Sequence, residues 1–223
     1  RAGARAPVVV VLHGAGGHPR PHCERWRALL EERAVLVCPR GTPWGLVAEG
    51  QTPDAYFFRE HRALGREITA AIAAAAAARG DAIDPTAPPL VGYPQGATMG
   101  VLFVHGVVAG KLQGPPFAQL ALVEGGAGEW NVALAERARR AGVRRVLLVC
   151  GQASCSEAAQ RSARYMARAG LEVRVEHARG AGHTWGGEVG RRVEQATPWL
   201  FAEDPRFFAP ARARPESVQD FRQ

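Results

Sequence analysis

The stretch LVGYPQGATMG, residues 90–100, leads from an apolar run into a helix-like segment through a turn that contains two glycines. Gly92 and Gly96 stand four residues apart, and Pro94 lies midway between them. Glycine lets two backbone segments approach closely, as a tight turn between a strand and a helix requires. The stretch therefore predicts a strand followed at once by a helix, the repeating unit of an α/β fold.

The same alternation of apolar runs and helix-like segments extends along most of the chain. Strands are predicted at residues 7–13, 34–39, 88–93, 117–124, 144–150 and 171–177. Helices are predicted at about 20–33, 55–80, 96–109, 131–141, 154–169 and 187–202. Because near-continuous apolar strands are covered on both faces, we expect one doubly wound, mostly parallel α/β domain over residues 1–203. We expect residues 204–223, which contain three prolines, to form a C-terminal surface tail.

The chain is basic, with 28 Lys and Arg residues, 21 Asp and Glu residues and a net charge of +7. Lys111 is the only lysine, and the arginines occur along helix-like segments among acidic residues. We interpret this charge as a solvated basic surface, with an anionic partner as the alternative. Aromatic residues do not interleave with a basic cluster, so no nucleic-acid partner is expected.

Apolar run lengths and cysteine positions bear on the compartment. No apolar run approaches the roughly 20 residues that span a bilayer, so no membrane span is expected, and no presequence is visible.

Four cysteines permit the pairs Cys23–Cys38 and Cys150–Cys155, since Cys38 and Cys150 each end a predicted strand. Formed disulfides imply an extracytoplasmic compartment, and free thiols imply a cytoplasmic one.

Three turns besides the one at Pro94 follow predicted strands, at the sheet edge where doubly wound folds form their sites. HGAGG, residues 13–17, has glycines that let backbone N–H groups approach a developing oxyanion. CGQASCSE covers residues 150–157, and GAGHTWGG covers residues 180–187. His183 in the last turn has the position of a histidine that acts with a nucleophile carried by the turn at residue 94.

The order and spacing of VLHGAGG, CPRGTP, LVGYPQGATMG and GAGHTW resemble those of the α/β-hydrolase superfamily, most nearly its phospholipase/carboxylesterase or dienelactone-hydrolase-like branch. The resemblance spans about residues 7–202 and implies a minimal α/β-hydrolase fold, without a large lid. It also implies a triad of nucleophile, acid and histidine, of which only His183 matches. Pro94 stands at the nucleophile position, and Ser154 stands at the usual position of the acid, a few residues after Gly151.

Proline at the nucleophile position removes the hydroxyl group and changes the turn. A nucleophile turn holds its central residue in a strained conformation with positive φ, whereas the φ of proline is fixed near about −65°. Pro94 also restricts Tyr93 to extended conformations. We therefore predict a relaxed turn in which Gln95 opens the helix. In an active relative, the backbone N–H of Gln95 would belong to the oxyanion hole.

Further residues are candidates for the site. Glu124 ends the fourth predicted strand and is an alternative acid for His183. The residues expected to form the oxyanion hole and the wall of a pocket are His13, Gly14, Ala15, Gly16, Trp44, Gln95 and Trp185. Three histidines and a cysteine cluster within residues 13–23, but their spacing matches no structural zinc pattern. Neither a metal ion nor another cofactor is expected.

Three functional hypotheses follow. The first is a catalytically inactive pseudo-hydrolase that retains a pocket for a small or lipid-like ligand. The second is an active serine-esterase-type hydrolase that uses His183 with an unusual residue or with water. The third is a structural or interaction protein whose cleft has collapsed. An open pocket favours the first, whereas bulky side chains over residues 14–17 favour the third. The sequence selects neither a ligand nor an oligomeric state.

Overall fold

The computed structural model describes residues 5–45 and 52–207. Its strands are β1 (Ala6–Leu12), β2 (Val35–Val37), β3 (Thr42–Pro43), β4 (Tyr56–Phe57), β5 (Ile83–Asp84), β6 (Leu90–Gly92), β7 (Gln119–Val123), β8 (Arg145–Cys150) and β9 (Glu172–His177). Its α-helices are α1 (Pro19–Leu29), α2 (His61–Arg79), α3 (Pro94–Val108), α4 (Val132–Arg140), α5 (Ala153–Arg168) and α6 (Gly187–Phe201). Short 3₁₀ helices cover Gly80–Ala82, Ala127–Glu129 and Pro205–Phe207.

The central sheet is parallel and has the strand order β2-β1-β6-β7-β8-β9, with β5 paired to β1 beside this path. Strands β3 and β4 form a separate antiparallel pair. After β1 the chain first adds β2 on one side and later adds β6 on the other, which makes the carboxyl ends of β1 and β6 a topological switch point. The expected doubly wound, mostly parallel fold class is confirmed.

Helices cover both faces of the sheet. Along β1, Val8, Val10 and Leu12 belong to the core beneath α2, α3, α4 and α5, whereas Val9 and Val11 belong to the core beneath α1 and α6. Successive side chains of a strand point to opposite faces, so each of these positions meets a different helical layer. The continuous apolar run at the start of the chain follows from this two-sided burial.

The predicted helix over residues 55–80 is wrong at its start. Tyr56 and Phe57 form β4, and α2 begins only at His61. The Tyr56 N–H donates to the Gly17 carbonyl at 2.9 Å, which ties this segment to the loop after β1 instead of to the helix. Strands β3, β4 and β5 have two residues each, too few for a periodic apolar pattern to reveal them.

Both expected cysteine pairs are present as disulfides. Cys23–Cys38 joins α1 to the end of β2, with Cα atoms 6.2 Å apart. Cys150–Cys155 joins the end of β8 to the first turn of α5, with Cα atoms 5.5 Å apart. Within the described residues, no helix combines the length and the apolar character that crossing a bilayer requires.

The described beginning of the predicted tail packs on the domain. Asp204 is buried and accepts a hydrogen bond from Gln119 Nε2 at 3.2 Å. Phe207 is also buried, and its ring stacks on that of Phe201 with centroids 4.2 Å apart. The packed structure thus continues to Phe207, and the remainder of the predicted tail, residues 208–223, lies outside the described residues.

Candidate active site

The turn between β6 and α3 is relaxed. Tyr93 caps the helix in an extended conformation, with φ −109° and ψ 160°, and Pro94 is the first helical residue. Proline suits this position because its φ fits the helix and its missing N–H would have no helical partner there. In the described chain, positive φ at non-glycine residues occurs elsewhere, at Glu31, Glu32, Ala87 and Glu124. The relaxed turn expected from Pro94 is confirmed, although the helix begins one residue before Gln95.

The two glycines of this turn remain sterically required. A Cβ atom on Gly92 would lie 2.6 Å from the Ala97 nitrogen, and one on Gly96 would lie 2.5 Å from the His13 carbonyl oxygen. The Gly96 N–H donates to that same carbonyl at 3.1 Å, which ties the turn to the end of β1. Glycine at both positions therefore lets the turn pack closely on the end of β1, and Pro94 between them has no nucleophilic atom.

The loop after β1 rests on His13, which is fully buried. Its ring packs against Phe58 with centroids 4.5 Å apart. Its Nδ1 lies 2.7 Å from the Gly14 carbonyl oxygen, and its Nε2 lies 2.9 Å from the Arg40 carbonyl oxygen. His13 thus supports the loop from inside the fold and does not face an open pocket.

The outer side of this loop is open. Ala15 and Gly16 are exposed, and no atom lies within 4 Å of a Cβ placed on Gly16. The Gly16 N–H donates to the Tyr56 carbonyl at 2.9 Å, whereas the N–H groups of Ala15 and Gln95 donate to no group among the described residues. The Gln95 side-chain oxygen accepts a hydrogen bond from the Phe58 N–H at 2.7 Å, which fixes the position of Gln95. Two of the residues expected to form an oxyanion hole thus keep a backbone donor available.

Glu124 lies directly after β7, and its side chain is fully buried. Its Oε1 accepts a hydrogen bond from the Gly151 N–H. Its Oε2 lies 3.6 Å from Nδ1 of His183 and has no hydrogen-bond partner among the described residues. Burial raises the pKa of Glu124 above its ordinary value, and the Gly151 N–H and His183 act in the opposite direction. Because the His183 side chain is 47% exposed, the ring connects a buried carboxylate with the solvent.

Close packing brings this pair to the turn at Pro94. A Cβ on Gly125 would lie 2.8 Å from the Pro94 Cα, so the residue after Glu124 touches the turn directly. The Thr98 hydroxyl donates to the Pro94 carbonyl at 3.0 Å and accepts from the Gly126 N–H at 3.0 Å, which fastens the same two segments. Residues from two distant parts of the sequence thus meet at one edge of the sheet.

Gly151 is the point where the acid and the histidine loop meet. A Cβ there would lie 2.7 Å from Glu124 Oε1 and would also collide with the Gly182 carbonyl oxygen. Ser154, the expected position of the acid, lies exposed in the first turn of α5. The carboxylate that faces His183 is therefore that of Glu124 and does not come from the loop after β8.

Aromatic side chains fill the space behind the turn. The Tyr93 ring lies over Gly14, and its centroid is 5.4 Å from that of His22 and 5.9 Å from that of His183. Trp185 packs on His22 with centroids 4.6 Å apart. The cavity that these aromatic groups help to line has a volume of about 20 Å³, which is room for one water molecule. Burial raises the pKa of Tyr93 to about 12 and lowers the pKa of His22 to about 4.

Sequence reasoning missed Tyr93 as part of the site. Its place directly before Pro94 was the available signal, but its contacts depend on the loop after β1. Trp44, expected to line a pocket, is 57% exposed and meets Phe57 edge-on, with centroids 5.5 Å apart. Among the described residues, no three His, Cys, Asp or Glu side chains form a group that could hold a metal ion.

Comparisons with known proteins give matches among solved structures, whereas no family model and no curated protein matches the chain. An uncharacterized protein from Bacillus cereus ATCC 10987 has 12% identity and a TM-score of 0.67, over 90% of this chain and 60% of its own length. Esterase PE8 has 18% identity and a TM-score of 0.60, over 88% of this chain and 94% of its own. The Bacillus cereus carboxylesterase has 17% identity and a TM-score of 0.59, over 91% of this chain and 92% of its own.

At these identities the comparisons show the fold alone. The parallel sheet with helices on both faces agrees with the hydrolase structures that match it along nearly their whole length. The chain has the α/β-hydrolase fold, and esterases and carboxylesterases are among its structural relatives.

Proposed function

We propose that this protein is a pseudo-hydrolase of the carboxylesterase or dienelactone-hydrolase-like branch, which lost its serine nucleophile and kept the rest of the site. The observation that carries the proposal is Pro94 at the first position of α3, inside a frame set by Gly92 and Gly96. Covalent acyl transfer needs a nucleophilic atom beside the histidine, and the proline ring has none.

Among the described residues, we find no other side chain placed to take over the role of the nucleophile. The hydroxyl of Thr98 is engaged with the Pro94 carbonyl and the Gly126 N–H. All four cysteines are held in disulfides. Among the described residues, His183 has Glu124 as its polar neighbour and no hydroxyl or thiol in hydrogen-bond contact. The histidine is therefore oriented by an acid but has nothing to deprotonate except water.

The test is the hydrolysis of 4-nitrophenyl butyrate by the wild-type protein, by Pro94→Ser and by the matched control Pro94→Ala. We expect the wild type and Pro94→Ala to stay at the background rate. Pro94→Ser returns a hydroxyl to the intact frame and should exceed both by at least about 100-fold. Wild-type hydrolysis that His183→Ala abolishes would overturn the proposal.

For the ligand, we propose a small ester, acid or lipid-like molecule bound at the open face in front of Pro94. Ala15 and Gly16 are exposed there and the His183 ring reaches the solvent, whereas the Tyr93 ring covers Gly14, so the open part of this face lies at residues 15 and 16. The cavity behind Tyr93, at about 20 Å³, is too small for any such ligand. Saturation-transfer NMR with butyrate and with 4-nitrophenol, repeated on His183→Ala, tests this placement.

A second candidate function is hydrolysis by water that His183 activates. The buried Glu124 carboxylate, 3.6 Å from His183 Nδ1, favours it, because an acid in this place supports a histidine that acts as a general base. This candidate predicts slow wild-type hydrolysis of activated esters without an initial burst. Both His183→Ala and Glu124→Gln should remove that activity, and a rate unchanged in either variant would exclude it.

For the compartment, we propose an oxidising, extracytoplasmic location, because two disulfides join the ends of strands to neighbouring helices. Titration of the denatured protein, isolated from its natural source without reductant, should show no free thiol. Four titratable thiols per chain would place the protein in a reducing compartment.

A further inference from the structure

The positive charge of the protein is concentrated on one pair of helices. Residues 131–144, which include α4, contain four arginines and one glutamate, and residues 153–170, which include α5, contain three arginines and one glutamate. These segments carry a net charge of +5 out of the +7 of the whole chain. The arginine patch, as we name it, consists of Arg137, Arg139, Arg140, Arg144, Arg161, Arg164 and Arg168.

The patch is one continuous exposed surface. All seven of its residues are exposed. Arg161, Arg164 and Arg168 recur at helical spacing, so they share one face of α5. Arg139 Nε donates to the Gly170 carbonyl at 3.1 Å, which joins the C-terminal ends of α4 and α5. Because both helices pack side by side on the same face of the sheet, their outer sides form a single broad face.

Six of the seven arginines of the patch have no carboxylate partner among the described residues. Its one ion pair among the described residues is Arg140 with Glu136, at 4.0 Å. On β9 and α6, by contrast, the arginines have carboxylate partners, in the pairs Arg174–Glu176, Arg191–Glu188 and Arg192–Glu188. The interpretation that arginines and acids are mixed along the chain is therefore wrong for α4 and α5. Unpaired like charges raise the local potential and attract an anionic partner.

Stabilisation of the helix ends explains only part of the patch. A cation near a helix C-terminus interacts favourably with the helix dipole, and this accounts for Arg137, Arg139, Arg140 and Arg168 in the last turns. Arg161 and Arg164 lie before the last turn of α5, where the effect of the dipole has faded. The helix dipole therefore does not account for these two.

We infer that the arginine patch binds an anionic phospholipid surface. A protein partner would need an apolar or aromatic centre on the patch, whereas the exposed large hydrophobic side chain found among the described residues is Trp44, which is not on α4 or α5. Nucleic acid is disfavoured because the disulfides imply an oxidising compartment. An anionic membrane surface requires only clustered basic charge, and each arginine near it strengthens binding by about fivefold.

Binding through the patch leaves the candidate site free. Helix α5 begins beside the carboxyl end of β8, where the Cys150–Cys155 disulfide joins the two elements. It ends beside the start of β9, at Glu172. The patch therefore lies toward the amino ends of the strands, whereas Pro94 and His183 lie at their carboxyl ends. A protein held by the patch would present its site to the solvent and not to the lipid.

The experiment is co-sedimentation of the full chain with vesicles of phosphatidylcholine alone and with vesicles that also contain about 30% phosphatidylglycerol. We expect binding only to the second kind, and loss of that binding as the salt concentration rises toward about 0.5 M. The triple variant Arg161→Gln, Arg164→Gln, Arg168→Gln should bind about 100-fold more weakly.

The matched control removes the same charge from arginines that have carboxylate partners, as the triple variant Arg174→Gln, Arg191→Gln, Arg192→Gln. It should bind within about threefold of the wild type, because paired arginines contribute little free charge. Thermal unfolding of both variants distinguishes a structural role from a binding role. If the patch serves only helix stability, the first variant melts at a lower temperature and binds as well as the control, which overturns the inference.

Two other outcomes also overturn it. Equal loss of binding in both triple variants would show that net charge acts without a defined surface. Binding to duplex DNA or heparin but not to anionic vesicles, lost only in the first variant, would assign the patch to a linear polyanion in place of a membrane.

Discussion

The candidate site has two parts, the turn at Pro94 and the Glu124–His183 pair, and these parts differ in backbone strain. The turn at Pro94 has relaxed into an ordinary helix start. Glu124, in contrast, holds φ at 57°, which is unfavourable for a non-glycine residue by about 1 kcal/mol or more. Its buried Oε2 also lacks a hydrogen-bond partner among the described residues, at a cost of about 1–3 kcal/mol. The strain at Glu124 supports the proposal that the acid–histidine pair still has a role.

The largest effect that sharpens this comparison concerns which residue is the acid. In the Pro94→Ser background, Glu124→Gln should lower kcat/KM for 4-nitrophenyl butyrate by about 1000-fold, because His183 loses the carboxylate that orients its ring. Ser154→Asp in the same background should change kcat/KM by less than about threefold, because residue 154 is exposed on α5. Steady-state kinetics of the three proteins provides the measurement.

The opposite pattern would break the comparison. If Ser154→Asp raised kcat/KM more than tenfold and Glu124→Gln left it unchanged, the acid would belong to the loop after β8. The strain at Glu124 would then have no connection with His183.

The second prediction concerns stability at the junction of the two loops. Gly151→Ala should lower the free energy of unfolding by about 2–4 kcal/mol, because the new Cβ would lie 2.7 Å from Glu124 Oε1 and 2.9 Å from Val189 Cγ2. Gly182→Ala is the matched control, since its φ is +70° but its Cβ would meet nothing within 4 Å. It should cost only about 1 kcal/mol. Urea unfolding that gave the same loss for both would show that the junction is not tightly packed.

The main lines of the fold could be predicted from the sequence because burial on both faces leaves a direct pattern. Runs such as PVVVVLH, residues 7–13, read as strands covered on both faces, and β1 has that burial. The start of α2 was mispredicted because Tyr56 and Phe57 are apolar and precede a helix, while their actual partner, the pair Thr42–Pro43, is distant in sequence. Pairing between distant short segments leaves no local signal.

The conformation of the turn at Pro94 could be predicted from the sequence, but not which side chains from different loops meet in space. Pro94 determined the relaxed turn through a local property, the fixed φ of proline. Whether Ser154 or Glu124 faces His183 depends on where β7, β8 and the loop after β9 come together, which no local pattern encodes. Which arginines pair with acidic residues was unpredictable for the same reason. Charges that are neighbours in the sequence need not be neighbours in the folded structure.

The third prediction uses pH. Burial raises the pKa of Glu124 in the folded protein, so as pH rises the carboxyl group ionises first in the unfolded chain. The free energy of unfolding of the wild type should therefore fall, relative to that of Glu124→Gln, as pH rises from below the ordinary pKa of Glu through the raised one. Urea unfolding of both proteins at a series of pH values, from below the ordinary pKa of Glu up to neutrality, checks the sign. Parallel curves would mean that Glu124 ionises as easily in the folded state as in the unfolded state.

The smallest effect tests the relaxed part directly. Pro94→Ala should lower the free energy of unfolding by less than about 1 kcal/mol, because proline at the first helical position contributes mainly by restricting the unfolded chain. Gly96→Ala, two residues away, should cost more than about 2 kcal/mol, since its Cβ would lie 2.5 Å from the His13 carbonyl oxygen. A large loss for Pro94→Ala would mean that the proline itself holds the turn in place. A small loss means that Gly92 and Gly96, and not residue 94, carry the stability of the turn, so that Pro94→Ser can be made without unfolding the protein.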